Sequence, residues 1–119
     1  MSKLNVHNEE TNREYVYFEL EGMLDAHNFE TIENLFDKHF EKGNHRFAVD
    51  IRRLEYISSA GAGVFIGAVG TCQDHDGNIV LVQPSPDVKE IFEMLGVFQI
   101  FPVVPDREQA NDVFAQTTS

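Results

Sequence analysis

Basic residues are scarce in this sequence, and tryptophan is absent. Nine lysines and arginines stand against 20 aspartates and glutamates, which gives a formal net charge of −11. Such a chain is repelled by nucleic acids and by anionic lipid surfaces, so neither is expected as a partner. The charge favours instead a protein partner with a basic face, because complementary charge speeds association.

Cysteine is nearly absent as well, since Cys72 is the single example in 119 residues. A disulfide within the chain is therefore impossible, and we expect Cys72 to be a buried, small apolar residue. No basic-then-apolar leader and no apolar run of membrane-spanning length are found, which predicts a cytoplasmic protein. The length is enough for one domain with a single core, over residues 1–119, and too short for two.

What the sequence does contain is a regular succession of strand and helix patterns, in the order β-β-α-β-α-β-α-β-α. This order indicates an α/β fold, with one sheet and helices packed against it. The predicted strands cover residues 3–6, 15–20, 47–51, 79–82 and 100–104. The predicted helices cover residues 26–41, the segment 64–72 with a start near the preceding serines, 86–95, and a last segment after residue 106. Residues 8–13 are predicted to form a turn, and residues 52–57 a connector.

Capping residues set the predicted helix ends. Asp25 is the predicted N-cap of the first helix, and Gly43 marks its end. Ser85 starts the third helix and Gly96 ends it, while Asp106 opens the last helix as part of a capping box. The residues predicted to bury these last two helices are Val88, Ile91, Phe92, Leu95, Ala110, Val113 and Phe114.

The most informative segment runs from Ser58 to Gly63, where the third strand gives way to the second helix. Two hydroxyls followed by small residues suggest a backbone turn that displays a serine. The free N–H groups at the start of the helix would favour a phosphate there. Alternatively, one serine is only the N-cap, and the glycines and alanines allow close packing of helix on sheet. Spacing alone leaves both interpretations open.

Motifs for catalysis are lacking. The flanks of Ser58 and Ser59 do not form the Gly-x-Ser-x-Gly elbow of serine hydrolases. There is no glycine-rich loop with lysine and no Gly-x-Gly-x-x-Gly, so the sequence contains neither of these nucleotide-binding motifs. His75 lies between two aspartates in a helix-end turn that we interpret as a solvated polar turn rather than a metal site. The prediction is therefore a non-enzyme without metal or cofactor, and a small serine-dependent enzyme is the alternative from a different class.

Taken together, residues 47–51 and 54–64 resemble the signature of bacterial anti-sigma factor antagonists, the STAS domains. Residues 20–25 resemble the family segment before its first helix, and residues 77–82, 85–88 and 95–97 resemble its C-terminal half. The likeness spans nearly the whole chain in order. It implies a single STAS-like domain with one mixed sheet packed against helices.

The resemblance also implies a function in a partner-switching cascade. An unphosphorylated antagonist binds a serine-kinase anti-sigma factor and frees the sigma factor, phosphorylation blocks that binding, and a serine phosphatase restores it.

Aligning residues 61–63 with the family's Gly-Leu-Gly places the phosphorylated serine at Ser59, with Ser58 as a competing hydroxyl. Ser58 stands where the family usually has aspartate, and Ala60 where it has a second serine or threonine. The residues expected to bind the partner are Asp25, Ser58, Ser59, Ala60, Gly61 and Ala62. The alternative within the fold is a scaffold or an accessory subunit without regulated phosphorylation.

Overall fold

The structure, a computed structural model, describes residues 3–97 and 99–117. Within these ranges the strands are β1 (Leu4–Thr11), β2 (Val16–Leu24), β3 (Arg46–Ile57), β4 (Asn78–Val82) and β5 (Val103–Val104). The helices are α1 (Phe29–Glu41), α2 (Ser59–Gln73), α3 (Pro86–Leu95) and α4 (Arg107–Thr117). The predicted order of elements is confirmed.

The described strands form one mixed sheet in the order β1-β2-β3-β4-β5. Strand β1 runs antiparallel to β2, and the pairs β2–β3, β3–β4 and β4–β5 are parallel. Each of these parallel pairs is joined by a helix, as parallel strands require a long crossover. The predicted mixed sheet is confirmed, and the carboxyl ends of β2 and β3 lie side by side at one edge of it.

The core lies on both faces of the sheet. Helices α1, α2 and α3 cover one face, where Phe18, Phe36, Phe47 and Phe65 are fully buried. Helix α4 covers part of the other face through Ala110 and Phe114, as predicted. Strand β4 is buried on both faces, which explains its continuous apolar sequence.

Several strand boundaries differ from the prediction. The predicted turn at residues 8–13 is wrong in its first half, because β1 continues to Thr11 past a register shift between His7 and Glu10. The predicted connector at residues 52–57 is also wrong, since β2 and β3 stay paired as far as Leu24 and Ile57. Two register shifts interrupt that pairing and with it the alternation that a regular strand would show. The last strand is only two residues long rather than five.

Some predicted helix ends are confirmed and others are wrong. Gly96 ends α3 with a φ of 69°, and the Ser85 hydroxyl accepts a hydrogen bond from the Val88 N–H at 3.3 Å, as predicted. Helix α1 begins at Phe29 instead of residue 26, and its N-cap is Asn28 rather than Asp25. The prediction that Leu95 is buried is also wrong, because its side chain is 41% exposed at the end of α3.

Cys72 is fully buried, as predicted. Its apolar surroundings on α2 raise the pKa of the thiol to about 12. A thiol in this state is neutral at physiological pH and has little nucleophilic character. Cys72 therefore acts as a core residue.

Candidate functional site

The serine-containing turn lies at the edge of the sheet where β2 and β3 end. Leu24 and Ile57 are paired as the last residues of the two strands. The Ser58 N–H donates a hydrogen bond to the Leu24 carbonyl oxygen at 2.9 Å, which ties the start of α2 to the end of β2. The next residue after Leu24 is Asp25. The structure thus brings Asp25 and the serines to the same edge of the sheet, as the sequence suggests.

The two serines have different environments. Ser58 is half-buried and is the N-cap of α2, where its hydroxyl oxygen accepts a hydrogen bond from the Gly61 N–H at 3.2 Å. Ser59 is the first residue of the helix and is exposed. Its hydroxyl makes no hydrogen bond within the described part of the chain. The two interpretations of the sequence thus each fit one serine, since Ser58 caps the helix and Ser59 is displayed to solvent.

Gly61 allows the helix to start so close to the sheet. A Cβ at this position would lie 2.7 Å from Cγ of Leu24 and 3.1 Å from the Leu24 carbonyl oxygen. Gly63 has the opposite character, because a Cβ there would meet nothing within 4 Å. Gly61 is therefore a packing requirement of the turn, whereas Gly63 belongs to the open face of α2.

Alanine substitutions at these two glycines provide a matched comparison. We expect Gly61→Ala to lower the free energy of unfolding by about 1–3 kcal/mol, because the added methyl group overpacks the junction. Gly63→Ala should leave stability unchanged or raise it by up to about 1 kcal/mol, because alanine is the better helix former. Urea denaturation of both variants tests this, and equal effects would contradict the packing account.

Asp25 lies in a tightly bonded turn before α1. Its carboxylate accepts a hydrogen bond from the His27 N–H at 2.9 Å, and its own N–H donates to Asn28 Oδ1 at 2.9 Å. The Asn28 side-chain amide also donates to the Met23 carbonyl oxygen at 2.8 Å. These bonds correct the N-cap prediction: Asp25 organises the turn before α1 instead of capping the helix.

The part of the surface next to the serines that α2 provides is uncharged. Helix α2 has no charged residue along its whole length, which is notable in so acidic a chain. Met23 and Tyr56 pair at the ends of β2 and β3 and are 42% and 43% exposed, on the sheet face opposite to Leu24 and Ile57, which contact α2. Ile66 on α2 is 40% exposed. Ser59, Ala60, Gly63 and Ile66 are exposed on α2, and we call these four residues the serine face.

Sequence reasoning missed the exposed Met23 and Tyr56 at the strand ends and misjudged the exposure of Gly61 and Ala62. Met23 and Tyr56 were missed because β2 was predicted to end at residue 20 and residues 52–57 were predicted to form a connector. Gly61 and Ala62, expected to bind a partner, are buried beneath the turn. Of the expected partner-binding residues, a partner can therefore reach Asp25, Ser58, Ser59 and Ala60, while Gly61 and Ala62 support the turn from below.

The N-cap role of Ser58 has a measurable consequence. We expect Ser58→Ala to lower the free energy of unfolding by about 1 kcal/mol, because the Gly61 N–H loses its acceptor. Ser59→Ala should change stability by less than about 0.5 kcal/mol, since that hydroxyl is exposed and is not the cap. Thermal or urea denaturation distinguishes them, and a larger loss for Ser59→Ala would be inconsistent with the assigned cap.

Other kinds of site find no support in the described residues. No group of three or more histidine, cysteine, aspartate or glutamate side chains in these ranges is arranged to hold a metal ion. No helix within residues 3–97 and 99–117 is both long enough and apolar enough to cross a membrane.

Comparison with known proteins identifies the family. A family model for the STAS domain matches residues 5–110. The chain belongs to the STAS domain family. This STAS domain is 37% identical over 95 residues to BtrV of Bordetella bronchiseptica, whose name assigns it provisionally to the anti-sigma factor antagonists. The match covers 80% of this chain and 82% of that relative.

Solved structures agree with this assignment. The anti-sigma factor antagonist SpoIIAA in its unphosphorylated form matches with a TM-score of 0.67 at 28% identity, covering 94% of this chain and 96% of that one. SpoIIAA of Bacillus in its phosphorylated form matches with a TM-score of 0.68 at 24% identity, covering 95% and 99% of the two chains. The second likeness establishes the shared fold. By homology, then, this STAS domain is a member of the anti-sigma factor antagonists.

Proposed function

We propose that this STAS domain binds a serine-kinase anti-sigma factor in a partner-switching cascade, and that phosphorylation of Ser59 ends the binding. One observation carries the proposal: Ser59 is the exposed first residue of α2, beside a capping serine and within an uncharged face. The relationship to BtrV and SpoIIAA supports it, because SpoIIAA is known in an unphosphorylated and a phosphorylated form.

The unmodified serine face is suited to a protein partner. The exposed Ile66 side chain of this face gains free energy when a partner removes it from water. Uncharged α2 adds no penalty for desolvating charge at the centre of the contact, and interface cores are typically depleted of charge. The acidic remainder of the surface would speed the approach of a partner with a basic face. Release of the sigma factor follows if both proteins compete for the anti-sigma factor.

Phosphorylation of Ser59 would weaken partner binding through electrostatic repulsion and desolvation. A phosphate on Ser59 adds about −1.5 to −2 charges at neutral pH to a face that otherwise carries none. The Asp25 carboxylate at the same sheet edge adds to the repulsion of any acidic group in the interface. The N–H groups at the start of α2 can accommodate the phosphate, so the fold need not change. Desolvation and repulsion then release the partner, and a serine phosphatase restores the binding form.

Ser59 is a better kinase substrate than Ser58 in this geometry. Transfer of a phosphoryl group requires a serine oxygen that can reach the donor phosphate. The Ser58 oxygen accepts the capping hydrogen bond and is half-buried, so its modification would disrupt the start of α2. The Ser59 hydroxyl can be modified without loss of a cap.

A pull-down from a lysate of the source organism tests the proposal. The baits are the wild type, Ser59→Asp and Ser59→Ala, and mass spectrometry identifies what each retains. A protein with serine-kinase activity should bind the wild type and Ser59→Ala and be lost with Ser59→Asp. Retention of one protein by all three baits would contradict the switch and favour a scaffold or an accessory subunit. Labelling of Ser59 by a serine-directed covalent inhibitor would instead indicate an enzyme.

A further inference from the structure

A second cleft lies at the opposite end of β3 from Ser59, where β3 and β4 begin. Its volume is about 250 Å³. Three separate turns form its walls: the turn between β1 and β2, the turn after α1, and the turn after α2. The residues of interest in its lining are Asn12, Arg13, Glu14, His45, Arg46 and His75. The cleft has no role in the function proposed for the serine face.

The lining is basic in a strongly acidic chain. The lining contains two guanidinium groups, of Arg13 and Arg46, and two imidazoles, but only one carboxylate, that of Glu14. In the whole chain, by contrast, acidic residues outnumber basic ones 20 to 9. In the part of the chain that the structure describes, neither Arg13 nor Arg46 has an ion-pair partner. Arg53 and Arg107 pair with glutamates, and Arg52 is likewise unpaired among the described residues but lies outside the cleft. Two uncompensated guanidinium groups at one cleft indicate a place for an anion.

The two histidines are held in a defined arrangement. Their rings stack with centroids 3.9 Å apart and an angle of 5° between planes, and Phe40 stacks on His45 at 5.5 Å. Nδ1 of His75 lies 3.0 Å from the Thr71 carbonyl oxygen, which identifies Nδ1 as the donor and leaves Nε2 for other partners. This arrangement holds both imidazoles at the cleft before any ligand is bound.

Gly77 fixes the turn after α2 against His45. A Cβ at Gly77 would lie 1.7 Å from the His45 carbonyl oxygen, so only glycine fits the contact. The same oxygen accepts a hydrogen bond from the Asn78 N–H at 3.0 Å. The wall of the cleft is therefore built by backbone contacts, and its shape does not depend on a ligand.

We propose that this cleft binds a small phosphate-bearing anion, with Arg13 and Arg46 as its principal ligands. Guanidinium groups match phosphate oxygens in geometry and keep their charge at any physiological pH. Burial, and secondarily the charge of His75, lower the pKa of His45. A bound dianion would offset that repulsion and allow the imidazoles to donate. The volume suits a small molecule rather than a protein segment.

An NMR titration tests the site. Inorganic phosphate is added to the ¹⁵N-labelled chain at constant ionic strength. A parallel titration with sodium chloride is the control. Saturable shifts are expected at the backbone amides of residues 12–14, 43–46 and 75, with a Kd on the order of 1 mM. Arg46→Gln and Arg13→Gln should each weaken binding by at least about fivefold. Arg52→Gln, which removes an exposed arginine of β3 outside the cleft, should leave the Kd unchanged.

The outcomes separate a built site from general ion binding. Unsaturable shifts, equal shifts with chloride, or wild-type affinity in both cleft variants would overturn the proposal. Malonate serves as a dicarboxylate probe, and binding as tight as that of phosphate would overturn the phosphate assignment. Unchanged amide shifts outside the cleft show that each variant is folded, and Arg13→Gln provides a second test in an exposed turn. None of these results depends on Ser59.

Discussion

Replacing Ser59 with aspartate is expected to weaken binding to the proposed serine-kinase anti-sigma factor by more than about a hundredfold. Such a loss corresponds to about 3 kcal/mol, which is within the range for a charge buried in an interface without a partner. The uncharged surface of α2 offers no cation to neutralise the new carboxylate. Isothermal titration calorimetry with the purified partner measures the loss directly.

Ser58→Asp is the matched control for this experiment. It adds the same charge one residue away, and aspartate caps a helix about as well as serine does. We expect it to bind nearly as well as the wild type, because its carboxylate is used by the Gly61 N–H and the position is half-buried. Ser59→Ala should also bind. An equal loss in both aspartate variants would show a general charge effect and would contradict a specific role of Ser59.

The second large effect concerns stability. Phe36→Ala is expected to lower the free energy of unfolding by about 3–5 kcal/mol, through loss of buried surface and creation of a cavity. The Phe36 ring lies 4.9 Å from the Phe47 ring and 5.6 Å from the Phe65 ring, so it joins α1 to the sheet and to α2. Urea denaturation gives the value.

An exposed residue provides the control for Phe36. Met94 is 80% exposed near the end of α3, and Met94→Ala should change stability by less than about 0.5 kcal/mol. Phe36→Leu should lose less than Phe36→Ala, because leucine fills part of the space. A loss below about 1 kcal/mol for Phe36→Ala would contradict the central position of this ring in the core.

The order of elements could be predicted because most carry a clear local signal. The continuous apolar run of β4 and the cap at Ser85 are read directly from residue types. Strand β3 was predicted too short because its buried residues Leu54 and Ile57 are three residues apart, which breaks the two-residue period; a register shift between them accommodates this spacing. The start of α2 near the serines was predicted from their position after the strand, although the glycines and alanines that follow carry no helical periodicity. Asp25 and Asn28 are both good cap residues, and only the backbone geometry distinguishes them.

The site was predictable in part for the same physical reasons. Asp25 and the serines follow strand ends, so topology alone brings them together. The division of roles between Ser58 and Ser59 depends on which oxygen accepts the Gly61 N–H, and both residues are serine. Met23 and Tyr56 meet only because β2 and β3 extend past their predicted ends. The basic cleft has no local motif at all, since its residues come from three distant turns.

The most direct test of the central claim is the affinity of the chain phosphorylated at Ser59 for the proposed anti-sigma factor partner. The phosphorylated chain is prepared with phosphoserine at residue 59 alone, verified by mass spectrometry, and titrated beside the unmodified chain. The account predicts a one-to-one complex for the unmodified chain and an affinity at least about a hundredfold lower for the phosphorylated one. Equal affinity of the two forms would contradict it.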